Sequence, residues 1–356
     1  MPVRRLLLLL LVPLLVLGAC GEDDADGPTA GPGPSSTTET SETVDPPSPT
    51  APPEVERLRV RPTDRVRLSA GHPNGITLAD DGTIWVSTRR TVHAVDPEAG
   101  RVVTELAGLG PHSFAVSEGV LWASDFDKNE VSAYDVGSGV RIATVRVRRP
   151  EGVLVAHGAV WVAMHHDGSL ARIDPATQKV TETVELHAAD CCGPQALAAD
   201  DRYVYVGTSD RTARGVYRID PASAEVVDHV AATGVVLPCG PLTVVGDVVW
   251  AGGCQSISAA GRFDFATTEM TQAVFTGYVG GAVATDHATW FTNVEVDGSG
   301  RVVSSRLIGL DPETGKEIAT APLEAGSDVS LRHGDALWVA APGELVAIPL
   351  EQLQLD

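Results

Sequence analysis

Histidine and carboxylate side chains stand at matching places along this chain, just before or just after short apolar segments. Six of them are His72, His112, His165, His166, Asp125 and Glu151. Imidazole and carboxylate groups are ligands for Zn²⁺ and Mn²⁺, and they also act as general acids and bases. The pattern makes a divalent metal the candidate cofactor, and a metal-dependent lyase or hydrolase one candidate activity.

The same residues also fit a binding pocket without catalysis. No tight ligand spacing of the His-Glu-x-x-His type occurs in the chain. The segments that carry the histidines add the amide side chains of Asn74, Gln195 and Asn293, which suit a concave polar pocket. We favour this interpretation, in which no residue is catalytic and the cofactor and ligand are unknown.

Seven aromatic residues show which elements would position these groups. They recur at steps of 37, 39, 44, 45, 40 and 48 residues: Trp85, Trp122, Trp161, Tyr205, Trp250, Trp290 and Trp338. Each lies in an apolar run that follows a Gly or Asp turn and an earlier apolar run. A repeat near 40 residues with several short strands is typical of a β-propeller. The sequence predicts an all-β, seven-bladed propeller.

Each repeat predicts four strands, the second of which carries the aromatic residue. The third strand usually ends in Asp, often within an Asp-Pro turn such as that at Asp96 or Asp311. Asp and Pro at these turn positions are structural, because they cap the turn and preset its backbone. In antiparallel blades, the loops before strand one and after strand two meet on one face, where we place the candidate pocket.

The last repeat has only three strands, at about residues 329–331, 336–340 and 345–348. The segment 65–68, before the first repeat, is positioned to supply the fourth. An N-terminal strand would thus close the ring and remove its open edge.

The unit "VDPEAGRVVTELAGLGPHSFAVSEGVLWASD" resembles the YVTN-type surface-layer propeller repeat and the related repeats of SMP-30-like, NHL and virginiamycin B lyase-like propellers. The resemblance covers residues 65–350. It implies an exported, extracytoplasmic propeller, and the lyase relatives hold a metal with His and Glu near the central axis. That metal motif has no residue-by-residue match in this chain.

The first 20 residues predict a lipoprotein signal peptide. Arg4 and Arg5 precede an apolar run at 6–17, and Leu17-Gly18-Ala19-Cys20 has the lipobox pattern. Lipidation of Cys20 would anchor the chain to the membrane. Residues 21–56 hold nine acidic residues, no Lys or Arg, and much Pro, Ser and Thr, which predicts a disordered tether. The propeller is expected over residues 57–356.

The charge of the chain argues against nucleic acid as a partner. The formal net charge is −21. The signal peptide is basic and the tether acidic, so the predicted propeller still carries about −14. Phosphate binding depends on clusters of Lys and Arg, and the alternating basic run near residue 146 suits the solvent face of a strand better than a polyanion site.

Four cysteines besides Cys20 predict disulfides in an exported domain: Cys191, Cys192, Cys239 and Cys254. Cys239 and Cys254 could face each other across one hairpin, and Cys192 and Cys239 could bridge neighbouring blades. Four cysteines allow three pairings. A Cys₄ zinc site is the alternative, although no Cys-x-x-Cys pair is present.

Together these patterns predict a monomeric, lipid-anchored propeller on the extracytoplasmic face of the cell membrane. Its partners would be the membrane, through the anchor, and a small molecule or an envelope protein. The alternatives are the metal-dependent enzyme and a scaffold for an envelope complex, which should expose an apolar patch.

Overall fold

Each of the seven sequence repeats forms one sheet in the structure, a computed structural model that describes residues 55–111, 113–186, 193–253 and 257–355. Every sheet has four antiparallel strands, and one sheet gains a fifth strand. The innermost strands of neighbouring sheets contact one another around a complete circle. The predicted all-β, seven-bladed propeller is confirmed.

Two short strands precede the first blade, β1 (Glu56–Arg57) and β2 (Asp64–Arg67). The strands of blades 1 to 3 follow in chain order from the channel outward. They are β3 (Pro73–Leu78), β4 (Ile84–Thr88), β5 (Thr91–Asp96), β6 (Arg101–Ala107); β7 (Phe114–Ser117), β8 (Val120–Asp125), β9 (Glu130–Asp135), β10 (Arg141–Arg146); β11 (Pro150–Ala156), β12 (Ala159–Met164), β13 (Ser169–Asp174) and β14 (Lys179–Glu185).

Blades 4 to 7 continue in the same order, and a short 3₁₀ helix, Leu350–Leu353, follows the last strand. Their strands are β15 (Pro194–Ala199), β16 (Val204–Thr208), β17 (Gly215–Asp220), β18 (Glu225–Ala231); β19 (Pro238–Val245), β20 (Val248–Gly253), β21 (Ile257–Asp264), β22 (Glu269–Thr276); β23 (Tyr278–Ala284), β24 (Thr289–Val296), β25 (Val302–Leu310), β26 (Glu317–Leu323); β27 (Ser330–His333), β28 (Ala336–Ala341) and β29 (Glu344–Pro349).

The ring is closed by the N-terminal segment, as the sequence predicts. Strand β2 pairs antiparallel with β29 and becomes the outer strand of blade 7, with Asp64 opposite Ala347 and Arg67 opposite Glu344. Val66 is buried in the core between blades 7 and 1. One addition was not predicted: β1 pairs in parallel with β26 as a fifth strand of blade 6.

The repeated aromatic residues form the cores between blades. All seven are buried, and each lies on the second strand of its blade. The apolar clusters combine residues of adjacent blades, as where Trp122 of blade 2 shares a cluster with Val153 and Val160 of blade 3. Burial of such aromatic area dominates core energetics, which explains why the aromatic position recurs in every repeat.

The aspartates that end the third strands cap the following turns, as predicted. Oδ1 of Asp174 accepts hydrogen bonds from the backbone N–H groups of Ala176 and Thr177, at 2.7 and 3.0 Å. Oδ1 of Asp311 accepts the same pair from Glu313 and Thr314. These bonds favour the ionised carboxylate, and they lower the pKa of both aspartates.

Some predicted strand bounds were wrong. The apolar run after Gly240-Pro241 predicts the inner strand of blade 5 at 242–245, whereas the strand runs over Pro238–Val245. Its register with β20 shifts between Pro238 and Leu242, so the strand includes an irregular segment. The Gly240-Pro241 pair in that segment had indicated a loop. The third strand of the same blade is predicted at 262–264 by its terminal Asp and runs over Ile257–Asp264.

Several predictions concern residues outside the described ranges. These are the signal peptide at 1–20, the lipidation site Cys20, nearly all of the tether at 21–56, His112, and Cys191, Cys192 and Cys254. No helix among the described residues is long and apolar enough to cross a membrane.

Candidate functional site

A channel of about 1060 Å³ passes between the seven inner strands. We call its upper mouth the end at which inner strands begin, and its lower mouth the opposite end. The upper mouth is polar, and its lining includes Asn74, Ser113, Glu151, Gln195 and Asp328. The middle of the wall is apolar, and its lining includes Ile76, Val153, Leu197, Leu242, Val283 and Leu331.

The sequence motif Pro-x-Gly or Pro-x-Ala explains how side chains reach the upper mouth. In blades 1, 3 and 4, the inner strand starts at a Pro, and its register with the second strand shifts directly after that Pro. Proline suits this position because it lacks the N–H that a regular ladder needs. The residue after each Pro, which is Asn74, Glu151 or Gln195, therefore lies in the irregular turn and lines the channel.

Glycine at this motif allows neighbouring blades to approach closely. A Cβ atom on Gly152 would lie 2.1 Å from the carbonyl oxygen of Gln195 in the next blade. Any larger residue would push the inner strands of blades 3 and 4 apart. The small residue of the motif thus sets the spacing of the side chains around the mouth.

His165 lies behind the channel wall and supports Gln195. The amide Nε2 of Gln195 donates to Nδ1 of His165 at 3.0 Å. The backbone of His165 is fixed on both sides, because its N–H donates to the carbonyl of Arg149 and its carbonyl accepts from Gly193. The structure therefore joins two predicted site residues, one at the mouth and one in the layer behind it.

His166 belongs to an aromatic cluster on the rim of blades 2 and 3. Its ring centroid lies 5.1 Å from that of His165 and 5.9 Å from that of Phe126. The guanidinium carbon of Arg149 lies 4.8 Å from the Phe126 centroid, within range of a cation–π contact. His166 lines a second cavity on this rim, not the central channel.

Asp125 and His72 also lie away from the channel lining. The carboxylate of Asp125 pairs with Lys128. Burial acts to raise the pKa of Asp125, but the hydrogen bonds and charge of Lys128 hold that pKa below its usual value. His72 is exposed, and its Nδ1 lies 3.3 Å from the carbonyl oxygen of Pro73.

Asn293 occupies a different environment from the loop that we expected. It lies inside β24, which extends to Val296, and its side chain is fully buried. Its Nδ2 donates to the carbonyls of Thr276 and Tyr278, at 2.9 and 3.1 Å. Through these bonds, Asn293 fixes the backbone that leads into the inner strand of blade 6. Asn293 lies in a strand and not in a loop because the second strand of this blade is longer than those of blades 1 to 4.

Other channel residues were missed by the sequence analysis. Tyr278 lines the channel at the start of β23, where blades 1, 3, 4 and 5 have Pro, and 38% of its surface is exposed. Asp286 and Arg332 line the lower mouth. The sequence feature that could have identified Tyr278 as a channel residue is its position as the first residue of an inner strand, directly after Gly277.

A metal site is not assembled by the described residues alone. Among them, no three His, Cys, Asp or Glu side chains are arranged to hold a metal ion. His112 lies outside the described residues, so the predicted set is represented only in part.

Comparison with known proteins supports the fold. No protein-family model matches the chain, and no curated protein matches its sequence. The chain is similar in structure to hydrazine synthase of Kuenenia stuttgartiensis, with 16% identity, a TM-score of 0.59, and coverage of 80% of this chain and 97% of that one. It is also similar to the computationally designed Ika8 protein, with 12% identity, a TM-score of 0.56, and coverage of 80% and 98%.

Proposed function

We propose that this propeller is a binding module that takes a small molecule, or a segment of an envelope protein, into the upper mouth of its channel. The observation that carries the proposal is the repeated placement of Asn74, Glu151 and Gln195 at equivalent positions of three blades around one cavity. Convergent polar groups on a largely apolar cavity are the usual composition of a ligand site.

The layering of the channel indicates the chemistry of the ligand. Amide and carboxylate groups at the mouth suit a ligand with hydrogen-bonding groups at one end, and the wall below them, which includes Val153 and Leu197, suits an apolar body. The cavity is at the upper limit of the volumes usual for small-molecule sites, so a ligand of drug size or a short peptide segment would fit.

We also propose that Cys20 is lipidated and that the propeller acts as a monomer on the extracytoplasmic face of the cell membrane. Support comes from the lipobox and from the acidic Pro, Ser and Thr segment that follows it. Radiolabelled palmitate should be incorporated into the wild-type chain and not into a Cys20→Ala variant. Equal labelling of the two chains would exclude this anchor.

The binding proposal is tested by a thermal-shift screen on the exported Cys20→Ala chain. The probes are amino acids, short peptides, sugars, nucleosides and divalent cations, each added singly. A probe at 100 times its Kd should stabilise the fold by about 2.7 kcal/mol, because it binds only the native state. Glu151→Gln and Gln195→Ala should reduce the shift.

The matched control lies at the other end of the same channel. Asp286 is exposed and lines the lower mouth, so Asp286→Asn should leave the shift of an upper-mouth ligand unchanged. A shift that is lost in Asp286→Asn and kept in both upper-mouth variants would contradict the proposed location. Elemental analysis of the purified chain would show whether a metal accompanies the ligand.

A further inference from the structure

The ring closes at a seam between blades 7 and 1, and the segment after β2 crosses it. The N–H of Leu68 donates to the carbonyl of Gly343 in blade 7 at 2.9 Å, and the Leu68 side chain is buried in the core between the two blades. Ser69 follows, and the chain then reaches β3 of blade 1. We call residues 64–71 the closing segment.

Three polar side chains meet at this seam. Oγ of Ser69 lies 2.8 Å from Nε2 of His93, and Nδ1 of His93 lies 3.2 Å from Oε1 of Glu105. His93 and Glu105 stand directly opposite each other on β5 and β6. The imidazole therefore connects the closing segment to the two outer strands of blade 1.

Ser, His and Glu in this order are also the groups of a hydrolytic triad, but their burial is wrong for catalysis. The His93 side chain is 0% exposed, whereas 54% of the Glu105 side chain is exposed. A catalytic imidazole must return its proton to a leaving group beside the serine. A ring with no accessible surface has no room for such a group, so these contacts serve the fold.

We propose that Ser69, His93 and Glu105 form a pH-sensitive latch that holds the closing segment on blade 1 and loosens it in acid. The ring is buried in the closed seam, where it can be neutral, with Nε2 accepting from the Ser69 hydroxyl and Nδ1 lying 3.2 Å from the Glu105 carboxylate. Detachment of Ser69 uncovers the ring and lets water solvate the imidazolium. Acid therefore favours the detached state.

The electrostatics of the seam predict the same direction of pH dependence, with closure weaker in acid. Burial lowers the pKa of His93, and the charge and hydrogen bond of Glu105 counteract this only in part. The detached ring has an ordinary pKa near 6.5. Closure is thus fully favoured above about pH 6.5 and weakens as the pH falls through that value, because the detached state binds the additional proton.

The other charged and titratable groups on the elements packed at the seam are Asp64, Arg65 and Arg67 on β2, His72, Asp96 and Arg101 in blade 1, and His333 and Glu344 in blade 7. Arg65 on β2 pairs with Glu344 on β29. Arg67 is exposed on the same strand. Because His72 and His333 are further imidazoles at this seam, the response is assigned to His93 by its loss in His93→Gln and not by elimination.

Hydrogen–deuterium exchange on the full-length chain tests the latch. Protection factors of residues 64–71 are measured at pH 7.5 and pH 5.5. A protection factor divides the intrinsic exchange rate by the observed rate, so it corrects for the intrinsic pH dependence of exchange. In the wild type, we expect protection to fall between these values by up to about tenfold, the limit for one-proton linkage to a detached group of pKa 6.5. In His93→Gln, this difference should disappear.

His229 provides a matched control. Its ring is stacked on Tyr217 at 4.0 Å in blade 4, far along the chain from the seam, and burial also lowers its pKa. His229→Gln should keep the wild-type change in protection at residues 64–71. Equal protection of the wild type at the two pH values, or a pH dependence that persists in His93→Gln, would overturn the proposal.

A second variant keeps the test informative if His93→Gln does not fold. Ser69→Ala removes the hydroxyl and leaves the imidazole in place. The closing segment should then exchange faster than in the wild type at pH 7.5. Wild-type protection in Ser69→Ala at both pH values would also overturn the latch.

Discussion

Trp290 on β24 stands directly opposite Gly309 on β25, and a Cβ atom on Gly309 would come within 2.9 Å of the indole ring. The repeated aromatic residues face either a small residue or an arginine on the third strand. The small partners of Trp85, Trp122 and Trp338 are Ala94, Ala133 and Ala347, and the arginine partners of Trp161, Tyr205 and Trp250 are Arg172, Arg218 and Arg262. Blade 6 is the extreme case, in which only glycine fits.

Gly309→Ala should destabilise the propeller, because the added methyl group must displace the Trp290 ring or the strand. Overpacking of this kind costs about 1–3 kcal/mol. The free energy of unfolding from urea titration measures the effect. Gly298→Ala is the control, since a Cβ at Gly298 meets nothing within 4 Å. Similar stability of the two variants would show that the ring has room to move.

The closing strand should be needed for the stability of the whole ring. Val66 is 2% exposed in the core between blades 7 and 1. Val66→Asp would bury an unpaired carboxylate and should lower the free energy of unfolding by roughly 3 kcal/mol or more. Deletion of residues 65–68 should lower the melting temperature further.

Val274→Asp controls for the introduction of a charge on an outer strand. Val274 lies on β22, the outer strand of blade 5, and is 59% exposed. Its replacement should change the free energy of unfolding by less than about 0.5 kcal/mol. If Val66→Asp were equally mild, β2 would not close a cooperative ring.

The repeat pattern allowed the fold to be predicted because each repeat satisfies its own local rules. The aromatic residue on the second strand and the Asp at the end of the third occur in nearly every blade, and a missing fourth strand at the end of the chain pointed to residues 65–68. The parallel addition of β1 to β26 could not be predicted, because two residues carry no periodicity and their partner is more than 260 positions away.

The candidate site was less predictable, since side-chain direction depends on irregular backbone. The register shift after Pro150 or Pro194 turns the next residue into the channel, and alternation alone does not show this. Asn293 was expected in a loop because the length of β24 could not be read from an alternating pattern. The contact between His165 and Gln195 joins two blades, which sequence spacing within one repeat does not reveal.

The turn-capping aspartates should make the stability of the fold depend on acid pH. The backbone N–H of Thr314 is the main cause of the lowered pKa of Asp311. A carboxyl whose pKa is depressed in the folded state stabilises the fold above its unfolded pKa near 3.9, and this contribution is lost as the pH falls through the lower, folded pKa. Acid unfolding should therefore begin below about pH 4 through this class of residue.

Asp311→Ala tests this cap directly. At pH 7, the variant should lose about 0.5–1.5 kcal/mol of unfolding free energy, the net value of an ordinary hydrogen bond. At pH 2.5, the difference from the wild type should become smaller. Asp286→Ala, at an exposed loop position, should show no such dependence. A constant difference for Asp311→Ala between pH 7 and pH 2.5 would mean that its charge contributes nothing.

Cys239 should form a disulfide in the exported protein. It is buried at the start of β19, and its Sγ lies 3.1 Å from the carbonyl oxygen of Leu237. The candidate partners Cys191, Cys192 and Cys254 lie outside the described residues, so the pairing is left to peptide mapping. A non-reducing digest should contain one peptide pair that includes Cys239 and separates on reduction.

Cys239→Ser should lower the free energy of unfolding by about 2–5 kcal/mol under oxidising conditions. When both proteins are compared in their reduced forms, the difference should be much smaller. Free Cys239 in the exported, non-reduced chain would contradict the prediction, and bound zinc that is lost in Cys239→Ser would favour the alternative Cys₄ site.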